Sequence, residues 1–280
     1  MTGPDGQQAL EELELDLFVT ALDRRYGYDF SGYSRASLTR RVRGLVTRFG
    51  ASSITALTDL LLRDPGRIPE AISNLSVPVS EFFRDPHTFR ALKEKVFPLL
   101  SSYAAINIWQ AGCAHGQEVY SLAILLTEAG LYERARIYAT DISADALARA
   151  REGIFPLQDA RDAARRYLDS GGAGSFSDYY HARYDFLKLD ERLISRVTFA
   201  EHNLVTDTVF CEAHLILCRN VLIYFSNPLQ DRVLGTFADS LVRGGFLCIG
   251  TRENLQFSAA RARFQTIDGD AQLYRLKSRG

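Results

Sequence analysis

The stretch Ile106–Tyr120, INIWQAGCAHGQEVY, limits what this chain can fold into more than any other. An apolar strand runs into Gly112 and Gly116, and a helix is predicted to start near Glu118. About 20 residues on, the run IYATDIS reaches the acid Asp141, a spacing typical of nucleotide-binding α/β units. Such a unit builds a pocket for a nucleoside: glycines let the backbone approach the ligand, and the acid accepts hydrogen bonds from a ribose. The spacing is G-x-x-x-G rather than G-x-G-x-x-G, which disfavours a dinucleotide. Any strand–turn–helix needs a glycine, so further residues must carry the cofactor reading.

From Ile106 onward the pattern alternates strand and helix. Strands are predicted at Ile106–Gln110, Arg136–Thr140, Val197–Ala200, His214–Cys218 and Phe246–Gly250, with helices at 118–129, 143–152 and 228–242. Arg263–Ile267 and Gln272–Leu276 flank Asp268-Gly269-Asp270, a hairpin signal. This layout is similar to that of class I S-adenosylmethionine (SAM) methyltransferases: an α/β, Rossmann-like sheet ending in an antiparallel hairpin. Residues 156–196 exceed a short crossover. A flexible break at Ser170–Gly174, then Tyr179, Tyr180, Tyr184 and Phe186, suggest a small inserted β-subdomain with a hairpin.

Residues 1–75 read as an all-helical domain. Leu10, Leu13, Leu17 and Ala21 recur at helical spacing, as do Leu38, Val42, Leu45 and Phe49, and then Ile54, Leu57, Leu60 and Leu61. Residues 76–100 read as an extended linker followed by a helix over Glu81–Leu100, and residues 101–280 form the sheet domain.

Composition excludes several classes. A net charge of −1 gives no global pull toward nucleic acid or an anionic membrane. No apolar run approaches the ~20 residues of a membrane helix, and the acidic N-terminus lacks the order of a signal peptide. Cys113, Cys211, Cys218 and Cys248 are scattered, which suits free thiols in a cytoplasmic protein rather than disulfides or zinc. No zinc-protease, nucleophile-elbow or P-loop motif is present, and the histidines have no metal-ligand spacing.

Ligands of an open α/β sheet bind at the carboxyl ends of its strands. Those ends here hold Gly112, Asp141, the His202-Asn203-Leu204 run, and Arg219-Asn220 leading to Tyr224. Arg219 directly follows an apolar strand, where an unpaired charge is costly. Arg84 follows two aromatics in EFFRDP and could orient a carboxylate by a bidentate pair. Arg40, Arg41, Arg43 and Arg48 fall between Asp29 and Asp59, a segment without acids. A helix of one charge sign suits an acidic partner, although a solvated face is the blander reading.

The series EFFRDP (81–86), WQAGCAHGQEVYS (109–121), ATDIS (139–143), HNL (202–204), CRNVLIYF (218–225) and GFLCIGTRENL (245–255) resembles the chemotaxis receptor methyltransferases of the CheR type. The likeness runs from about Leu17 to Leu276. These enzymes transfer a methyl from SAM to protein glutamates. The resemblance implies cofactor contacts at Ser80, Arg84, Glu118, Asp141, Asn203, Leu204, Arg219 and Asn220, beside the Gly112 turn, and a tyrosine near the methyl at Tyr224. It implies that Arg40, Arg41, Arg43 and Arg48 recognise methylation helices in the cytoplasmic domain of the receptors. In some members the β-subdomain binds a receptor peptide. The chain departs from the family at Pro78, His115 and Arg252. Two alternatives stay open: another signalling protein as substrate, or a non-catalytic SAM-binding sensor. A monomer is expected, because no exposed apolar stripe stands out, and neither nucleic-acid binding nor membrane insertion is expected.

Overall fold

A computed structural model describes residues 4–76, 79–256 and 258–277. Pro78, one of the departures from the family pattern, lies outside them. The chain opens with α1 (Pro4–Tyr26), α2 (Arg35–Arg48), α3 (Ile54–Arg63) and α4 (Ile68–Leu75). In α2 and α3 the residues predicted for the core are buried or half-buried. In α1 the other face is buried: Leu15, Phe18, Val19 and Leu22 face the core, while Leu10, Leu13 and Leu17 are 57%, 56% and 53% exposed. Helical spacing defines a stripe but not which stripe is covered, and the one carrying Phe18 is bulkier. The premise behind an expected monomer, that no apolar stripe is exposed, therefore does not hold on α1.

The predicted single helix over 81–100 is instead a loop and a broken helix. Phe83 and Asp85 have φ of 50° and 53°. The residue before a proline is pushed out of the right-handed helical region, so the helix starts only at Pro86. Helix α5 (Pro86–Ala91) passes through a π turn at Leu92–Val96 into α6 (Phe97–Leu100). Pro98 supplies no N–H to the turn behind it, which accounts for the irregular stretch.

The sheet domain follows as β1 (Ile106–Ala111), α7 (Gln117–Glu128), β2 (Ala135–Asp141), α8 (Ala144–Glu152), β3 (Ile154–Pro156), α9 (Ala160–Asp169), β4 (Tyr180–Arg183), β5 (Phe186–Leu189), β6 (Val197–Glu201), β7 (Ala213–Cys218), α10 (Asn227–Ser240), β8 (Leu241–Ile249), β9 (Phe264–Asp268) and β10 (Leu273–Leu276). The main sheet has the order β6-β2-β1-β7-β8-β10-β9. Its first five strands are parallel, and β10 runs antiparallel between β8 and β9. Strand β8 begins at Leu241, so it takes two residues assigned above to the preceding helix.

The insertion is larger than the predicted hairpin. It holds helix α9 and a three-stranded sheet of order β3-β5-β4. The predicted flexible break at Ser170–Gly174 is tied down. The buried Glu128 carboxylate accepts from the Tyr167 and Tyr179 hydroxyls and from the Ala173 N–H, and Lys93 lies 3.4 Å away.

Alternate residues of β1 serve two cores. Ile108 faces α7, the insertion and the Phe82–Phe83 pair. Trp109 faces α10 and, in the same continuous cluster, the core of α1–α4. The helical region thus shares its core with one face of the sheet. Its α1–α2 connection also pairs with the segment after β7: Ser34 N–H donates to Tyr224 C=O (2.8 Å), and Ser226 N–H donates to Gly32 C=O (2.8 Å). A side chain at Gly32 would sit 2.7 Å from Leu229. Among the described residues no helix is long and apolar enough to cross a membrane.

Candidate functional site

The carboxyl ends of β1, β2, β6 and β7 converge on one cavity, walled on the other side by Tyr33 and Arg41 of the helical region. At the end of β1 the chain turns through Gly112, with φ of 73°. A Cβ there would lie 2.5 Å from Val221 Cγ2, so only glycine lets the two loops touch. Gly116 opens α7 at φ of 88°, with Ala150 Cβ 2.8 Å from where its own Cβ would stand.

Asp141 ends β2 and lines the cavity. Its Oδ2 accepts from Ala114 N–H (2.8 Å) and its Oδ1 from Ser143 N–H (3.0 Å). Burial pushes its pKa above the usual carboxylate value, against those hydrogen bonds. It therefore fixes the glycine turn and still presents spare lone pairs to the cavity. Beyond β6, the Asn203 amide oxygen accepts from Val205 N–H (3.0 Å), while Nδ2 is buried without a partner among the described residues. Leu204 lies beside it. Asn220, at φ of 62°, presents a buried Oδ1 that is likewise unpartnered.

Arg219 is fully shielded from solvent. Its Nη1 meets Glu118 Oε2 at 2.5 Å, and its Nη2 meets Asp85 Oδ2 at 2.8 Å and the Arg84 carbonyl at 2.9 Å. The guanidinium lies over the Phe89 ring, 5.5 Å from its centroid. Burial opposes the charge, but the Glu118 and Asp85 carboxylates outweigh it and the net pKa shift is upward. The other Glu118 oxygen accepts from Gln110 Nε2 at 2.6 Å. Glu118 therefore braces Arg219 rather than facing the cavity.

Across the cavity stands Tyr224, with the Arg41 guanidinium 4.2 Å from its ring centroid. Arg41 Nη1 donates to the Leu75 carbonyl, but Nε and Nη2 are buried with no partner among the described residues. Burial lowers its pKa, and only Tyr224 and Tyr33 pull the other way. The arrangement leaves two donors of a half-buried, cavity-lining cation without partners among the described residues, beside a phenol.

The residues singled out from the sequence divide accordingly. Gly112, Asp141, Asn203, Leu204, Arg219, Asn220, Tyr224 and Arg41 line the cavity. Ser80 lies in a neighbouring groove, where its hydroxyl accepts from Glu118 N–H at 3.3 Å. Arg84 contributes its carbonyl to Arg219, and its side chain makes no ion pair with a described residue. His115 is half-buried and does not line the cavity. Arg43 and Arg48 are exposed and paired with Glu11 (2.5 Å) and Glu70 (2.6 Å). Arg40 lies in the groove between α1 and α2. The face that carries one charge sign in sequence thus receives acids from α1 and α4 in space. Tyr33, which no spacing singled out, is buried against Phe225 and completes the wall. Glu253 was visible only as part of a divergent motif, and its role appears only in three dimensions.

Comparison with known proteins agrees with this geometry. Residues 78–273 match the SAM-binding domain of CheR methyltransferases, and residues 13–76 match the all-alpha domain of the same family. A Pseudomonas putida protein bearing the name methyltransferase Cher3 is 44% identical over 94% of this chain and 97% of its own length. The chemotaxis protein methyltransferase of Vibrio parahaemolyticus is 34% identical over 80% of this chain and 83% of its own. That of Listeria innocua is 30% identical over 88% and 92%. Among solved structures, the N-methyltransferase NodS of Bradyrhizobium japonicum, in complex with S-adenosylhomocysteine, overlaps 71% of this chain and 90% of its own. Its identity is 15% and its TM-score 0.39, too low to carry an argument.

The cofactor of this domain is SAM, and the residues fit it. The unpartnered Asn203 donor, the unpartnered Asn220 acceptor and the spare Asp141 lone pairs suit the mixed hydrogen-bonding edges of a nucleoside. The Gly112 turn leaves room for close backbone approach.

Proposed function

The chain belongs to the CheR methyltransferase family, and from that premise we propose that it methylates glutamate side chains of chemotaxis-type receptors in the cytoplasm. The products are a glutamate methyl ester and S-adenosylhomocysteine. The observation that carries this reading is Arg41: two buried, unpartnered guanidinium donors beside Tyr224 at the cofactor cavity. A planar carboxylate fits such a fork.

SAM supplies an activated methyl on a sulfonium, which becomes a neutral thioether once the methyl has left. A glutamate carboxylate is already ionised at neutral pH, so the protein has no proton to remove. Its work is placement. Asp141, Asn203 and Asn220 hold the nucleoside. Arg219, held by Glu118 and Asp85, makes a rigid floor. Arg41 directs the incoming carboxylate, and the Tyr224 ring limits its approach.

A second substrate reading draws support from the pairing of Arg43 and Arg48 with Glu11 and Glu70, which leaves less free charge for an acidic helix. The test is transfer of tritiated methyl from SAM to the purified cytoplasmic domain of a methyl-accepting receptor, followed by alkali treatment. A base-labile label is the expected result. SAM binding without label would favour a different signalling protein or a non-catalytic sensor.

A further inference from the structure

The buried carboxylate of Glu253 has no part in the chemistry described so far. It follows β8 and is only 6% exposed. Its Oε2 accepts from Gly250 N–H (2.6 Å) and Asn220 N–H (3.1 Å), and its Oε1 accepts from Ile223 N–H (3.2 Å). Two of these donors belong to the 219–224 loop, which carries Arg219, Asn220 and Tyr224. No cation pairs with Glu253 among the described residues, so backbone dipoles alone balance its charge. The approach is close: a Cβ on Gly250 would lie 2.7 Å from Asn220 N and 2.8 Å from Glu253 Oε2.

We propose that Glu253 is a positioning residue for methyl transfer, holding the 220–223 backbone so that Tyr224 faces the carboxylate bound at Arg41. Other anchors hold the segment around Tyr224: Ser34 N–H on the Tyr224 carbonyl, Ser226 N–H on the Gly32 carbonyl, and Gln230 Nε2 on the Leu222 and Phe225 carbonyls (3.0 Å each). Glu253 takes the N–H groups of Asn220 and Ile223 at the other side of the turn, where Val221 packs against the place a Cβ on Gly112 would fill. A shift of the 220–223 backbone therefore moves Tyr224 and the wall of the glycine turn together. A misplacement of about 1 Å at a reacting centre can cost about 100-fold in rate. A carboxylate suits the task because it offers acceptors only. Glutamine would turn an NH2 toward one of the N–H groups, and alanine would leave all three without this acceptor.

The proposal rests on the methyltransferase reading, and its test separates the two. Hydrogen exchange of Glu253→Gln and Glu253→Ala needs no substrate. Exchange should rise at least tenfold in peptides covering 219–226 and stay unchanged in β1 and β2. Methyl transfer should fall about 100-fold in Glu253→Ala and less in Glu253→Gln, chiefly in kcat. In a Tyr224→Ala background, Glu253→Gln should add little, because both changes act through one ring. Unchanged exchange in 219–226, or full additivity with Tyr224→Ala, would overturn the proposal. Should Glu253→Ala fail to fold, Glu253→Gln still decides it. Loss of protection in an enzyme whose wild type transfers no methyl to receptors would condemn the substrate reading, and the loop anchor would stand.

Discussion

Arg219 and Arg41 stand at the same cavity and differ in how their donors are used. Arg219, on the sheet side, has both terminal nitrogens paired, with two carboxylates and a carbonyl, and a phenylalanine covers its face; its Nε alone has no partner among the described residues. Arg41, on the helical side, gives one nitrogen to Leu75 and keeps two buried without partners. A buried cation that meets two carboxylates of the fold belongs to the architecture. A half-buried one with no carboxylate partner among the described residues is open to a ligand. The difference separates what builds this cavity from what works in it.

The largest effect is expected from removing Arg219. Arg219→Met would leave Glu118 and Asp85 facing each other around an apolar side chain. We expect a loss of about 3–5 kcal/mol, as for other broken buried pairs, measured by urea denaturation. A loss below 1 kcal/mol would mean that the pair is not structural. Arg41→Ala should do the reverse. Its unfolding midpoint should stay close to wild type, while methyl transfer falls about 100-fold, the cost of losing the orientation of the reacting carboxylate.

A smaller effect comes from pH. Burial raises the Asp141 pKa above 3.8. A carboxyl whose folded pKa is raised stabilises the fold fully below its unfolded pKa, and that contribution is lost as pH rises through the folded value. The fold therefore holds the ionised form of Asp141, which accepts from Ala114 and Ser143 N–H, at some cost. SAM affinity, followed by calorimetry, should drop about tenfold as acidification protonates it, at a pH where exposed aspartates remain charged. Constant affinity down to the acid unfolding transition would remove Asp141 from the cofactor contacts. The smallest effect is expected at Arg43 and Arg48, which are exposed and paired. Their alanine variants should transfer methyl within a few-fold of wild type at low salt, and the difference should vanish as salt is raised.

Much of this was legible in the sequence, and the rest was hidden for physical reasons. Gly112, Asp141 and Arg219 each break a local pattern: a glycine after an apolar run, an acid at a strand tip, a charge at the end of a buried strand. Such breaks survive in one dimension. The succession of strands along the chain followed from βα alternation and the Asp268-Gly269-Asp270 turn, but not their order across the sheet. What stayed hidden depends on neighbours distant in sequence. The pairing of Arg43 with Glu11 joins α2 to α1, and Arg41 meets Tyr224 across 183 residues. The choice of Leu15 and Phe18 over Leu13 and Leu17 for the core of α1 is made by what packs against the helix. The π turn before Pro98 is a compromise that helical periodicity alone does not reveal.

Arg41 is proposed to serve the substrate rather than the cofactor, which carries a carboxylate of its own. Calorimetry of SAM binding to Arg41→Ala, paired with its methyl-transfer rate on a receptor domain, tests this directly. SAM affinity within about threefold of wild type, with transfer reduced about 100-fold, is the predicted result. A fall in SAM affinity large enough to account for the lost transfer would contradict the claim and assign Arg41 to the cofactor.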